Sequence, residues 1–177
     1  MRLFVALRPP PALRDLLLAT MDGVEGARWQ DDDQLHLTLR FIGEIEPPQA
    51  EDLAAELGRI HAPPFELSIA GVGHFEKKGR LSALWAGPAP SPPLDLLQRK
   101  VERACQRAGL EPEHRKFTPH ITLARLSGAA GPVGDWLSAH GALSAGPWPV
   151  EEFRLYESQL APGGSHYEPL IAYRLRA

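Results

Sequence analysis

The sequence predicts an α+β fold in which two antiparallel-rich sheets line a central cleft and helices pack outside, the halves related as a pseudo-twofold duplication. Three observations predict it. The elements run strand, helix, strand, helix, two strands, and then helix, strand, helix, two strands. A helix precedes a His-x-Thr strand in each half: His36-Leu37-Thr38-Leu39 in the first, His120-Ile121-Thr122-Leu123 in the second. Both strands alternate so that one face is apolar and the other carries the imidazole and the hydroxyl. Sheets with one apolar face bury it against helices and leave the other to form a cleft. The 177 residues fit one domain, 1–177, of two intertwined lobes, with one motif contributed by each half.

Each element has a local cause. Residues 2–7 (Arg2-Leu3-Phe4-Val5-Ala6-Leu7) read as an opening strand, ended by three prolines. Residues 12–22 carry Leu13, Leu16, Leu17 and Met21 at helical spacing, and Gly23 stops them. The first motif strand covers 35–42, and a helix covers 48–60 with Leu53, Leu57 and Ile60 on one side. Strands follow at 65–72 and 81–86, separated by a loop carrying Lys77, Lys78 and Arg80. Ser91 is placed to cap a helix with Pro92 at its first position, where the missing N–H costs nothing; Gly109 ends it. The second motif strand comes next, then a short helix at 132–140. Strands at 152–160 and 167–175 close the chain around a Pro162-Gly163-Gly164 turn.

A net charge of −3 argues against a broad electrostatic grip on long nucleic acid but leaves room for a local anion pocket. The single cysteine, Cys105, falls in the apolar stripe of a helix and reads as core; lacking a disulfide partner, it points to a reducing cytoplasm. Nothing approaches the roughly 20 apolar residues that span a bilayer, so no membrane association is expected.

The motifs carry the chemistry. In-line displacement at phosphorus needs a base at the entering oxygen and an acid at the leaving oxygen. Histidine suits both because its ordinary pKa lies near neutrality. Thr38 and Thr122 would donate to the non-bridging oxygens as charge grows there, and branching at Cβ restricts their rotamers. A lone His-x-Thr strand is commonplace; two with matching apolar backs are not. Metal binding is the weaker reading, since the chain lacks His-x-His, His-Glu-x-x-His or paired cysteines. No metal and no cofactor are expected.

The flanking residues narrow the reading. Arg28-Trp29 with Gln34-Leu35-His36-Leu37-Thr38-Leu39-Arg40-Phe41-Ile42-Gly43-Glu44 resembles the first signature of the LigT-like two-histidine phosphoesterases. Phe117-Thr118-Pro119-His120-Ile121-Thr122-Leu123-Ala124-Arg125 resembles the second. The opening strand, Leu84-Trp85, Leu155-Tyr156-Glu157-Ser158, Gly163-Gly164 and Tyr167 extend the likeness over essentially the whole chain. It is strongest to the bacterial and archaeal RNA 2',3'-cyclic phosphodiesterases, historically called 2'-5' RNA ligases.

The resemblance implies a bilobal, metal-independent enzyme that opens a terminal 2',3'-cyclic phosphate on RNA to a 2'-phosphate. In some members the same chemistry joins tRNA halves through a 2'-5' linkage. It implies His36 as proton donor and His120 as acceptor, an order that the likeness of the motifs leaves reversible. Thr38, Thr122 and Arg125 would bind phosphate. Strict alternation sets Arg125 opposite His120, so the strand must end or bulge before it. Arg40, on the alternation of His36 and Thr38, and Arg115, Lys116 and Phe117, beside the second motif, are candidate RNA contacts. The expected partner is an RNA end and the expected state a monomer. A phosphodiesterase acting on another 2'-5' or cyclic nucleotide, and a non-catalytic RNA-end-binding module, remain the alternatives.

Overall fold

The computed structural model describes residues 1–177. Nine strands and four helices follow one another: β1 (Arg2–Leu7), α1 (Pro11–Leu18), β2 (Arg28–Trp29), β3 (Leu37–Glu44), α2 (Pro47–Gly58), β4 (Phe65–Lys77), β5 (Arg80–Pro88), α3 (Pro92–Arg107), β6 (Ile121–Arg125), α4 (Gly134–His140), β7 (Ser144–Val150), β8 (Glu152–Ala161) and β9 (Gly164–Arg174). The strands hydrogen-bond in the order β7-β4-β5-β6-β3-β1-β8-β9, with β2 on β6.

The two expected sheets are joined into one at the motif strands, and the junction is narrow. β3 and β6 meet antiparallel at a single register pair, Leu37 opposite Ile121. Beyond it β2 takes the edge of β6, with Trp29 opposite Ala124 and Arg28 opposite Arg125. The N–H of Gln30 donates to the Leu123 carbonyl at 2.8 Å. With that edge occupied, β3 diverges and the sheet opens into a cleft. Each side keeps full ladders, β5 and β4 beyond β6, and β1, β8 and β9 beyond β3.

One face of the sheet carries the main core. Leu3, Val5, Leu7, Leu37, Leu39, Ile121 and Leu123 pack there with Leu13 and Leu17 of α1, Leu53 and Leu57 of α2, and Leu94, Leu97 and Val101 of α3. The other face carries a small separate cluster of Phe4, Ala6 and Tyr156, against which Tyr167 packs. β1 is therefore buried on both faces, as its unbroken apolar run Leu3-Phe4-Val5-Ala6-Leu7 requires. Ser91 caps α3 by accepting from the Leu94 N–H at 3.2 Å, and Gly109, at φ +90°, turns the chain out of it, as the sequence predicts.

Three departures have physical causes. α1 ends at Leu18 rather than near residue 22, because the Thr20 hydroxyl donates to the Leu17 carbonyl at 2.7 Å while the Thr20 carbonyl accepts from the Trp136 indole at 2.8 Å. β7 contains Pro147 and Pro149, which argue against a strand from sequence; it pairs only with β4, and an outer edge tolerates missing N–H groups.

The third is Arg40. A bulge at Leu39 shifts the alternation of β3: Ala6 faces Thr38 and Val5 faces Arg40, with Leu39 unpaired between them. Arg40 is thereby turned to the helix face and buried, not placed beside His36 as strict alternation predicts. Its Nε donates to Glu102 at 2.5 Å, Nη1 to the Phe41 carbonyl at 2.7 Å and Nη2 to the Glu111 carbonyl at 2.6 Å. It ties α3 and the approach to β6 onto β3, its guanidinium spent on the helix face away from the histidines. Burial alone would raise the Glu102 pKa, but the hydrogen bonds from Arg40, Gln106 and the Glu113 N–H together hold it below the ordinary value. Arg40→Ala removes the cation from that carboxylate, leaving it only the Gln106 and Glu113 hydrogen bonds, and takes the guanidinium donors from two carbonyls. It should destabilise the fold by about 3–5 kcal/mol, read by urea unfolding at neutral pH. As pH falls through the lowered Glu102 pKa the pair's contribution to wild-type stability should fade, shrinking the gap between the two proteins.

Candidate active site

The Leu37–Ile121 pair organises the site. Both side chains point into the core, so the residues flanking each point into the cleft. Continuing that antiparallel register one residue either way sets His36 level with Thr122 and Thr38 level with His120. Two imidazoles and two hydroxyls thus occupy alternate corners of one small patch, across strands whose facing Cα atoms lie about 4.5–5.5 Å apart in such ladders. All four residues are half-buried.

Each imidazole is oriented by its own chain. His36 Nδ1 lies 2.6 Å from the Gln34 carbonyl and His120 Nδ1 lies 2.7 Å from the Thr118 carbonyl. A carbonyl only accepts, so Nδ1 carries the proton and Nε2 is left as the reacting nitrogen on both rings. Local structure holds each carbonyl. Pro119 restricts Thr118 to extended backbone. On the other side the Arg8 guanidinium donates to the Asp32 carbonyl at 2.7 Å and the Leu35 carbonyl at 2.6 Å, clamping the short turn before His36. Gln34 is fixed further by its side-chain amide, which donates to the Ser165 carbonyl at 3.0 Å.

Aromatic rings surround both histidines. His36 lies among Phe4 (4.8 Å between ring centroids), Tyr167 (5.0 Å, edge-on) and Tyr156 (6.3 Å). His120 meets Phe75 edge-on at 4.7 Å and Trp85 at 6.4 Å. Trp85 lies flat because Gly73 and Gly87 are bare beneath it. A Cβ at either position would come within 2.3 Å and 2.8 Å of the indole.

These surroundings set the protonation. Desolvation pulls the His36 pKa down to about 4, against a partial upward pull from the Gln34 carbonyl; Arg8, Arg125 and His120 add positive charge that lowers it further. Desolvation also lowers the His120 pKa, assisted by Arg125. Both rings are neutral at pH 7 in the free protein, and an arriving anion would raise both pKa values.

Arg125 reaches this patch through the bulge that the sequence requires. Trp85 faces Thr122 and Leu84 faces Ala124, leaving Leu123 unpaired; Arg125, opposite Ala83, returns to the cleft face and is exposed. Three further sequence candidates precede the second motif. Phe117 packs against the main core. Both sides of the Arg115 guanidinium bond Glu113 at 3.0 Å, which holds that carboxyl down at about 2, and Lys116 is exposed. Sequence reasoning missed Arg8, Phe4, Phe75 and the roles of Trp85, Tyr156 and Tyr167. A tryptophan two residues before a glycine on a strand was the one local signal for the indole shelf. No group of three or more His, Cys, Asp or Glu side chains is gathered to hold a metal ion, and no helix is long and apolar enough to cross a membrane.

Two oriented imidazoles facing one another in a cleft beside unpaired arginines define a protein suited to moving protons around a bound anion. The chain belongs to the 2'-5' RNA ligase superfamily, whose sequence profile matches residues 9–161. It is 30% identical over 176 residues to a protein of Archaeoglobus fulgidus named RNA 2',3'-cyclic phosphodiesterase, covering 98% of this chain and 99% of that one. It is 33% identical to the Escherichia coli protein of the same name, over 98% of this chain and 96% of the relative. The crystal structure of E. coli LigT complexed with 3'-AMP superposes with a TM-score of 0.80 at 30% identity, covering 98% and 97% of the two chains.

The burial of His36 makes a prediction. Its imidazole should titrate near pH 4 and stay in the Nδ1–H form above that, read from side-chain nitrogen shifts by NMR. Tyr167→Ala, which opens one wall to water, should move the midpoint up toward the ordinary value of about 6.5. The sign for stability follows. The unfolded chain takes up a proton below about 6.5 that the fold resists, so the stability held above that pH is lost as pH falls toward 4.

Proposed function

We propose that the chain hydrolyses the terminal 2',3'-cyclic phosphate of RNA to a 2'-phosphate, with the two histidines as acid and base and without a metal ion. The observation that carries this reading is the pair of Nδ1-anchored imidazoles whose free Nε2 atoms share one cleft face with Thr38 and Thr122. The substrate is taken from the relatives' names.

In the proposed step, His120 Nε2 removes a proton from water as its oxygen attacks phosphorus. The P–O3' bond breaks, and His36 Nε2–H protonates O3'. The products are a 2'-phosphomonoester and a free 3'-hydroxyl, with the proton returned from His120 to His36 through solvent. Thr38, Thr122 and Arg125 hold the non-bridging oxygens, where charge accumulates. Binding the phosphodiester anion raises the His36 pKa, so that the ring takes up from solvent the proton it lacks in the free protein. The low intrinsic pKa then makes the imidazolium a willing donor to a poor alkoxide leaving group. With a ribose 5'-hydroxyl in place of water the same steps would form a 2'-5' linkage, so joining of RNA halves belongs to the proposal. The buried free thiol of Cys105 supports a reducing, cytoplasmic setting, and the protein is taken to act as a monomer.

Product analysis on an oligoribonucleotide ending in 2',3'-cyclic phosphate tests the reading: a 2'-phosphate end is expected, and a 3'-phosphate would mean that O2' leaves instead. Turnover only of 2',3'-cyclic mononucleotides or 2'-5' dinucleotides would redirect the substrate, and binding without turnover would make the cleft a recognition module. His36→Ala and His120→Ala should each lower the rate by about 10² to 10⁴ with the fold unchanged by circular dichroism, and EDTA should leave wild-type turnover intact. The direction of proton flow is readable with bis(4-nitrophenyl) phosphate, whose leaving group needs little protonation. His36→Ala should lose much less activity on it than on the RNA end, and His120→Ala should lose comparably on both.

The lowered histidine pKa values set the pH profile. The bell for kcat/KM, which reports the free protein, should be centred on the acid side of neutrality. The bell for kcat should lie at higher pH, because the bound anion raises both groups.

A further inference from the structure

We infer that the cleft continues into a second anion site, at the tip of the β4–β5 hairpin, which holds the phosphodiester backbone of the RNA strand leading to the reacting end. The inference rests on the cyclic-end reading above and extends it from the terminal nucleotide to the strand behind it.

A surface pocket of about 500 Å³ is lined by Lys77, Lys78, Arg80, Leu81, Ser82, Leu126, Ser127 and Gly128. The ladder places its cations on the face that carries the histidines. Gly73 faces Trp85 and Phe75 faces Ala83, both pairs on the cleft side beneath His120, and the next register pair on that side is Lys77 with Arg80. Ala83 in turn faces Arg125, which faces Arg28 across β2. A bulge at Ser82 keeps that pairing in phase, so a row of Arg28, Arg125, Arg80 and Lys77 runs from the catalytic patch to the hairpin tip, the Lys77–Arg80 pair lying two strand positions, about 7 Å, beyond Phe75 and Ala83.

Nothing in the protein neutralises this row. Other arginines around the cleft are matched: Arg154, on the cleft face of β8, bonds Glu152 at 2.6 Å, and Arg8 and Arg14 share Asp32. None of Arg28, Lys77, Lys78, Arg80 and Arg125 enters an ion pair, and the neighbouring carboxylate, Glu76, lies against His74 instead. Placing Arg28 directly opposite Arg125 sets like charges on facing positions, an arrangement that costs stability unless an anion lies between or beside them. Lys78 adds a second anomaly. It has φ +55° and precedes Gly79 at φ +75° in the two-residue hairpin turn, where asparagine, aspartate or glycine is favoured. A cation is kept where the backbone prefers another residue. Facing unpaired cations along a groove that ends at a phosphate-processing centre suit a single-stranded polyanion with regularly spaced charge.

The test compares wild type with the triple variant Lys77→Gln, Lys78→Asn, Arg80→Gln, in which asparagine suits the turn and Arg28 and Arg125 are untouched. Substrates are a 2',3'-cyclic mononucleotide and a ten-residue oligoribonucleotide ending in cyclic phosphate. The variant should hydrolyse the mononucleotide at the wild-type rate and show a KM for the oligomer raised about tenfold, with kcat little changed. The slope of log KM against log salt for the oligomer should fall by about 2, as expected for three lost contacts to a single strand. An unchanged oligomer KM, or equal losses on both substrates, overturns the inference. Fluorescence anisotropy with the same oligomer ending in 2'-phosphate needs no turnover. Weaker binding by the variant supports the strand site even if the wild type proves inactive, an outcome that would count only against the catalytic reading. Equal RNA binding by variant and wild type, with the variant defective instead on phosphatidylserine vesicles, would assign the patch to a membrane surface and overturn it.

Discussion

The site depends on one contact between strands. β3 and β6 meet only at Leu37 and Ile121, and that meeting sets each motif's histidine level with the other's threonine. Antiparallel pairing brings a local twofold axis with it, so two similar motifs crossing once give opposed imidazoles with no further design. A longer ladder would fill the space between the strands with backbone, and no ladder would leave the imidazoles on independent surfaces. β2 enforces the compromise by taking the edge of β6 just beyond the crossing. The buried Arg40–Glu102 pair braces it from behind, fastening α3 to the strand that carries His36.

The burial that fixes the histidines also makes them reluctant to charge. Phe4, Tyr156 and Tyr167 exclude water from His36, and Phe75 and Trp85 do the same for His120 with less effect on its pKa. Arg8 and Arg125 deepen the depression, and Arg125 with the facing Arg28 has no ion partner, so the free cleft holds unbalanced positive charge in a partly apolar cup. An anion entering it relieves repulsion among the arginines and draws a proton onto an imidazole at once. Affinity and activation are therefore coupled through the same groups.

Much of this was legible in the sequence. Alternation alone places His36 with Thr38 and His120 with Thr122, and it shows that Arg125 needs a broken alternation to join them; the bulge at Leu123 supplies it. The same reasoning failed at Arg40, because the matching bulge at Leu39 leaves no trace in a run of residues that all suit a strand. β7 was hidden by its prolines, which only an edge position permits. Arg8, Phe4 and Phe75 were illegible for a different reason. Their roles come from pairing between distant strands, and a single sequence carries no information about which strand lies beside which.

The two bulges also give similar motifs unlike surroundings. Each resets the alternation so that the residue five places after the histidine faces the cleft. In β6 that residue is Arg125; in β3 it is Phe41, opposite Phe4, with the Arg2 guanidinium 5.0 Å from its ring centre. The cations are distributed unevenly as well: Arg125 acts on both imidazoles, whereas Arg8 acts on His36. Two histidines in identical fields would have no reason to differ in proton affinity, and a single proton would be shared between them without direction. The unlike cations and the deeper aromatic cup around His36 break that equivalence: they disfavour charge on His36 most, so a proton that anion binding draws onto that ring from solvent is the one most readily given up.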